Sequence, residues 1–280
     1  MYKIVQKKKL NHSVTLMEVE APYVARKSEP GQFIILRTSE YGERIPLTIA
    51  DYNREAGTIT IIFQEVGKTT KILGTLNKND YILDFVGPLG NKSPIEGYKR
   101  TAVIGGGLGS AIAFPQVKKL HNLKSKVDTI LGFRNKDLII LEDELKKYSS
   151  NLYITTDDGS NGVKGFVSDI LKNLINKGNS YDLVIAIGPL IMMKVISDIT
   201  RKHNIKTLVS MNPIMVDGTG MCGGCRVTLD GKVKFACVDG PDFDGHKIDF
   251  DEAMRRQGFY KDEEIKSEKH SCKMEEYYDK

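Results

Sequence analysis

A change of pattern at Tyr98 constrains this chain more than any other feature. From there to about Ser210, apolar strands alternate with helical segments. "RTAVIGGG" reads as a strand running into glycines and "LGSAIAFPQVKKLHNL" as a helix. "KVDTILGF", "NLYITTDDG", "YDLVIAIGP" and "KTLVSMN" read as further strands. "DLIILEDELKKYS", "VKGFVSDILKNLINKG" and "LIMMKVISDITRKHN" are the helices between them. Such alternation predicts a parallel sheet covered on both faces. Before Tyr98 the character differs. "KIVQKKKL", "VTLMEVEA", "QFIILRT", "PLTIADY", "GTITIIFQEV" and "DYILDFVGPLG" are short β-branched and aromatic runs separated by Gly, Pro, Asn or Asp, which predicts a small antiparallel barrel. After Ser210 comes a cysteine-bearing glycine loop and a hairpin-like "RVTLDGKVKFAC", with Asp230-Gly231 as its two-residue turn. The expected organisation is a barrel over 1–98, an α/β domain over 99–212, a cysteine region over 213–248 and a charged, helix-prone tail over 249–280.

Composition narrows the class. The 280 residues are 40% hydrophobic and 28% charged, enough apolar material for sizeable cores. The net charge of +5 is mild and its lysines are scattered. The run Lys7-Lys8-Lys9 reads as a solvated strand face, and the basic and aromatic patterning of a nucleic-acid binder is missing. No stretch approaches the ~20 apolar residues of a membrane span. The N-terminus lacks the apolar core and cleavage site of a secretory signal. Four cysteines in a chain this long do not form a disulfide framework. The expected location is a reducing cytoplasm.

Three motifs carry chemistry. "VIGGGLGSA" places Gly105, Gly106, Gly107 and Gly109 between a strand and a helix. There a pyrophosphate can approach bare backbone and meet the helix's N–H donors. The motif departs from G-x-G-x-x-G at Ser110, and a plain tight turn is the competing reading. "RIPLTIAD" combines Arg44 with a proline-stiffened strand and a hydroxyl. About twenty residues on, "EVGKTT" offers a glycine followed by two threonines, so a phosphate-bearing cofactor could use both. "DGTGMCGGCRVTLDGKVKFAC" holds Cys222 and Cys225 two residues apart and Cys237 after eleven more. Iron–sulfur clusters and structural zinc normally take four protein ligands. The loop alone leaves iron–sulfur and zinc open. It also leaves the fourth ligand open, with Cys272, thirty-five residues beyond Cys237, as one candidate. The five histidines have no metal-ligand spacing, and no hydrolytic constellation appears.

Taken together, Arg44-x-Pro46-x-Thr48 in a barrel, the glycine turn and "AIGP" at Ala186–Pro189 resemble the ferredoxin-reductase superfamily, an FAD-binding barrel followed by a nicotinamide-binding α/β domain. The resemblance implies Arg44 on the FAD pyrophosphate, with Pro46 and Leu47 in the same signature and Thr48 near the reactive edge of the flavin. It places Ile62, Phe63 and Gln64 on the ring or ribitol side and Gly67, Thr69 and Thr70 on the phosphates. NAD(H) would lie along Gly105–Gly109, with Gly188 and Pro189 beside the nicotinamide and Asp157 and Asp158 meeting its ribose. Arg134 and Lys136 of "GFRNK" sit where the adenosine end would lie and leave the choice of NAD or NADP undecided.

The cysteine loop is similar to the 2Fe-2S loop of the dihydroorotate dehydrogenase electron-transfer subunit, Cys-x4-Cys-x2-Cys with a later fourth Cys. Cys222, Cys225 and Cys237 fill the last three positions, and Asp217 stands at the first. Three cysteines and an aspartate resemble the small subunit of NADH-dependent ferredoxin:NADP oxidoreductase, and "FDGHKIDFDEAMRRQ" looks like the same subfamily's ending. That resemblance implies Asp217, Cys222, Cys225 and Cys237 as ligands of a 2Fe-2S cluster. It implies electron transfer between NAD(H), FAD and that cluster. It also implies a larger partner subunit with its own FAD and 4Fe-4S clusters, which binds NADP(H), in a complex coupling reduced ferredoxin and NADH to NADP by flavin-based electron bifurcation. The dihydroorotate dehydrogenase subunit itself is the nearest alternative. A zinc-stabilised nucleotide-binding module without redox work is the alternative from another class.

Overall fold

The computed structural model describes residues 1–259, so Cys272 lies outside the described residues. Seven strands form the N-terminal unit: β1 (Tyr2–Lys9), β2 (Val14–Glu20), β3 (Phe33–Arg37), β4 (Ile45–Asn53), β5 (Thr58–Gln64), β6 (Tyr81–Ile82) and β7 (Asp84–Leu89). Their order is β6-β1-β2-β5-β4-β3-β7, with every pairing antiparallel. The end strands β6 and β7 are consecutive in the chain, so the sheet curls into a nearly closed barrel. "DYILDFVGPLG", one run in the sequence, is divided between them. Inward residues Ile4, Met17, Ile34, Leu36, Ile59, Ile61, Phe63 and Phe85 fill the interior. Two short helices accompany the barrel, α1 (Pro22–Lys27) and α2 (Lys68–Thr75).

The second unit alternates as its sequence predicts. It comprises β8 (Arg100–Gly106), α3 (Gly109–Asn122), β9 (Lys126–Phe133), α4 (Glu142–Tyr148), β10 (Asn151–Thr156), α5 (Val167–Asn176), β11 (Leu183–Ile187), α6 (Leu190–Lys202) and β12 (Lys206–Ser210). The helix expected over "DLIILEDELKKYS" is shorter than its pattern. Ile140 and Leu141 turn into the core, and Leu141 adopts φ +57°, so α4 begins only at Glu142. Its three leading acids and its trailing Lys146 and Lys147 then complement the helix dipole.

Sheet order is β10-β9-β8-β11-β12, all parallel. The chain leaves β8 toward β9 and β10, then crosses back to place β11 on the other side of β8. That reversal is a topological switch point, where the loops after two neighbouring strands part and leave a crevice.

The C-terminal unit contains the hairpin β13 (Arg226–Leu229) and β14 (Lys232–Phe235), the single turn α7 (Ala236–Asp239), β15 (Asp242–Asp244) and α8 (Phe250–Gln257). Asp230 and Gly231 both have positive φ, as a type I′ hairpin turn requires. β15 returns to the α/β sheet and pairs antiparallel with β12. One apolar cluster joins all three units: Phe33 and Ile35 from the barrel, Ala186 and Met193 from the α/β unit, and Cys225, Ala236, Cys237 and Phe243 from the cysteine region.

Candidate functional site

The barrel opens at one end because β4 is staggered between its neighbours. Ile45–Thr48 pair with β3, whereas Ile49–Asn53 pair with β5. No ladder pair joins β4 to β5 beyond Ile49 and Ile61. One lip of this wedge therefore carries Arg44, Pro46, Leu47 and Thr48, and the other carries Ile62, Phe63 and Gln64. β5 leads directly into α2, whose first turn follows Gly67. Thr70 Oγ1 accepts the Gly67 N–H at 3.1 Å, and Thr69 Oγ1 donates to Glu43 Oε2 at 3.1 Å across the wedge. The main chains of the residues expected around a flavin thus line one wedge, with a helix N-terminus at its base.

Two of them behave differently from the expectation. Strand alternation turns the Phe63 side chain into the barrel interior, where it is fully buried, so only its main chain reaches the wedge. Arg44 sends its guanidinium to the cysteine loop, with Nε donating to the Val216 carbonyl at 3.2 Å and an Nη to the Asp217 carbonyl at 3.4 Å. Glu43 was not legible as a site residue, because nothing local marks a glutamate that meets a threonine twenty-six positions away.

In the α/β unit the glycine turn after β8 and the Gly188–Pro189 turn after β11 flank the switch-point crevice. Their glycines are required by proximity. A Cβ on Gly109 would lie 2.2 Å from the Ile187 carbonyl oxygen, and one on Gly106 would lie 2.6 Å from Met192 Sδ and 3.0 Å from Pro189 Cδ. At Gly107, with φ +56°, a Cβ would meet nothing, so that backbone faces open space. Ser110 Oγ, on the first turn of α3, is buried without a hydrogen-bond partner. An orphaned hydroxyl at a helix N-terminus beside bare glycine backbone suits a phosphate-bearing ligand.

Asp157 and Asp158 are not part of that pair of turns. They follow β10, three strands from β11, so at ~4.8 Å per strand they stand roughly 14 Å from Gly188. Their neighbours are those of the other end of the crevice. The Asp157 N–H donates to the Phe133 carbonyl at 3.0 Å and the Asp158 N–H to the Arg134 carbonyl at 3.3 Å. Ser160 donates to the Asp158 carboxylate and accepts the Lys136 N–H. Hydrogen bonds from Ser160 hold the Asp158 carboxyl below the usual range. Strand order thus places these aspartates three strands away from the Gly188–Pro189 turn.

The cysteine loop is wrapped by glycines in left-handed conformations, Gly218, Gly220 and Gly223. Cys225 and Cys237 are buried, with their sulfurs 3.2 Å apart, while Cys222 is exposed. The Asp217 carboxylate accepts the Thr219 N–H at 2.7 Å and the Cys222 N–H at 3.0 Å. These main-chain donors, Thr219 first, depress its pKa. Burial, the Cys225 thiol beside it and the nearby Asp217 charge push the Cys237 thiol up to about 12. Among the described residues, no three His, Cys, Asp or Glu side chains already converge as a ligand shell. The donor chemistry nevertheless fits iron. Two buried thiols in contact, a third three positions before one of them and an anionic oxygen on the same loop make a mixed S and O set, and a metal would displace the protons that burial retains.

Comparison with known proteins agrees with this geometry. Residues 212–249 match the iron-sulfur cluster binding domain of dihydroorotate dehydrogenase B. The chain is 46% identical over 261 residues to the "dihydroorotate dehydrogenase B (NAD(+)), electron transfer subunit homolog" of Thermotoga maritima, covering 93% of this chain and 92% of that one. It is 57% identical over 276 residues to the "uncharacterized protein in adh 3′region" of Clostridium beijerinckii, covering 96% and 93%. A solved structure of an NADH-dependent reduced ferredoxin-NADP oxidoreductase, described for its insights into flavin-based electron bifurcation, superimposes with a TM-score of 0.91. The identity is 44% over 97% of this chain and 98% of that chain. The ferredoxin reductase of carbazole 1,9a-dioxygenase, at 18% identity and a TM-score of 0.61 over 73% of this chain and 65% of that one, shares the fold.

Proposed function

This chain belongs to the family of dihydroorotate dehydrogenase B electron-transfer subunits and their homologues. On that premise we propose that it is the subunit carrying NAD(H), FAD and a 2Fe-2S cluster in a bifurcating NADH-dependent reduced ferredoxin:NADP oxidoreductase. The observation that carries the reading is the reach of Arg44 from the barrel lip to the Val216 and Asp217 carbonyls, which makes the flavin wedge and the cysteine loop neighbours.

The glycine turn and Ser110 would receive the dinucleotide phosphates, and the Gly188–Pro189 turn would hold its nicotinamide toward the barrel. The wedge between Arg44–Thr48 and Ile62–Gln64 would hold the flavin, with the first turn of α2 on its phosphates. Asp217, Cys222, Cys225 and Cys237 would ligate the cluster. Bound FAD supplies the chemistry that turns a hydride's electron pair into single electrons, and a 2Fe-2S cluster takes one at a time. The chain's own contribution is to place the sites against one shared core and to exclude water from Cys225 and Cys237. A relay of this kind needs an acceptor, and the resemblance read in the sequence implies as that acceptor a larger partner subunit with its own FAD and 4Fe-4S clusters, binding NADP(H). Among the described residues no helix is long and apolar enough to cross a membrane.

The test is anaerobic. The purified chain should show flavin bands with a broad red iron–sulfur shoulder, both bleaching on addition of NADH. The native complex should reduce NADP only when NADH and reduced ferredoxin are both present. A folded, colourless, zinc-containing chain would remove the redox reading altogether. The match of residues 212–249 to the dihydroorotate dehydrogenase B domain favours a second reading, service to that enzyme. Orotate-dependent oxidation of NADH by the native complex would select it. Asp217, where that family's loop has cysteine, argues for the first.

A further inference from the structure

The candidate ligands sit on two separate pieces of chain. Asp217, Cys222 and Cys225 precede the β13–β14 hairpin, and Cys237 follows it on α7, a helix of four residues. A single turn has no cooperative stability of its own, and α7 has no side-chain cap at its start. The two pieces meet through the Ala236 N–H, which donates to the Cys225 carbonyl at 3.0 Å, and through the Cys225 and Cys237 sulfurs, 3.2 Å apart.

The barrel holds them from outside. On the Asp217 side, Arg44 forks onto two successive carbonyls. Gly218 lies so close to the barrel wall that a Cβ there would be 2.6 Å from Ile35 Cδ1 and 2.9 Å from Leu89 Cδ1. On the Cys237 side the contact is Asn91, two residues past β7. Its Nδ2 donates to the Val238 carbonyl at 2.9 Å, and its own N–H donates to the Gly240 carbonyl at 2.7 Å. Gly90, at φ +74°, permits this approach, since a Cβ there would lie 3.1 Å from the Gly240 carbonyl oxygen. Val238 directly follows Cys237, so the Asn91 amide grips the last turn of the segment that presents the sulfur.

We infer that Asn91 is a positioning residue for the cluster. From the barrel, it closes the Cys237 segment onto the Asp217–Cys225 loop, so that the ligand set is completed by a second unit of the chain. The inference rests on the 2Fe-2S reading of the loop. Unlike Arg44, Asn91 lies outside the flavin wedge, so its effect separates from flavin binding. It is also exposed, and its replacement opens no cavity.

The experiment compares the full-length native protein with Asn91→Ala and Asn91→Asp, all saturated with FAD. It follows iron release to a chelator, the visible circular dichroism of the cluster, and FAD content. Loss of one net hydrogen bond predicts that Asn91→Ala releases iron ~3–10-fold faster, with FAD retained. Asn91→Asp keeps the shape but replaces the donor with an acceptor facing the Val238 carbonyl, so it should release iron faster still. Native release rates in both variants overturn the inference. So does an Asn91→Asp variant that behaves as native, because shape alone would then suffice. Parallel loss of FAD and iron overturns it by showing general loosening. A native protein with flavin but no 2Fe-2S dichroism overturns the cluster reading itself, and is told apart from the other results by appearing before any substitution.

Discussion

On the proposed reading, Asp217 is the residue that sets the character of the cysteine loop. Its carboxylate organises the loop through the Thr219 and Cys222 N–H groups, and four residues separate it from Cys222. Asp217→Ala should lose the 2Fe-2S bands, whereas Asp217→Cys should keep them with shifted maxima; an Asp217→Cys spectrum identical to the native one would take Asp217 out of the ligand set. Gly109 makes a different kind of demand. Because a Cβ there would lie 2.2 Å from a main-chain oxygen, Gly109→Ala should lower unfolding stability by ~2 kcal/mol or more and weaken NAD(H) binding. Gly107→Ala meets open space and strains φ alone, so it should cost less, ~1–2 kcal/mol. Denaturant midpoints with NADH titrations decide the order. The glycine turn and the Asp217–Cys225 stretch were legible as motifs because their residues lie within a few positions of one another. Glu43 and Asn91 were not, since their partners are far along the chain.

At the scale of elements, β15 is the piece that local pattern did not announce. "GPDFDGH" has neither the length nor the alternation of a strand, yet it completes the α/β sheet against β12. Its Asp242 carboxylate is buried between units. Ser93, on the connection from the barrel, and Gln116, on α3, both donate to its Oδ2. Asp242 Oδ1 and Gln116 Oε1 have no partner. Burial raises the Asp242 pKa above the ordinary carboxylate value, outweighing the bonds from Ser93, Ser210 and Gln116. A protonated Asp242 turns one orphaned acceptor into a donor. The folded state then binds this proton more tightly than the unfolded chain does. The stabilisation is therefore complete below about pH 4 and is lost as pH rises through the folded pKa. Native protein and Asp242→Asn, compared by denaturant unfolding across pH, should differ by an amount that moves against the native protein with rising pH; a pH-independent difference would mean that Asp242 carries no such proton.

Across the whole molecule, the three units are too interwoven to act as beads on a string. The apolar cluster that contains Cys225 and Cys237 also contains Phe33 and Ile35 of the barrel and Ala186 of the central sheet. Calorimetry should accordingly show one cooperative unfolding transition, and Ile35→Ala should lower it by ~2–5 kcal/mol while also speeding iron loss. Separate transitions for barrel and α/β unit would contradict the shared core. By contrast, the Lys118–Asp51 and Lys119–Glu29 bridges between α3 and the barrel side are part-exposed, and each contributes ~0–1 kcal/mol. The sequence by itself determined the barrel, the alternating unit, the glycine turns and the cysteine loop, because period-2 and period-3.6 apolar patterns and short-range spacing are properties of neighbouring residues. Tertiary structure alone decided that β10 stands three strands from β11, which carries Asp157 and Asp158 away from the Gly188–Pro189 turn. It also decided that Arg44 and Asn91 hold the cysteine loop. Each of these depends on strand order or on contacts between residues far apart in the chain, and no local pattern encodes which distant backbone a side chain will meet.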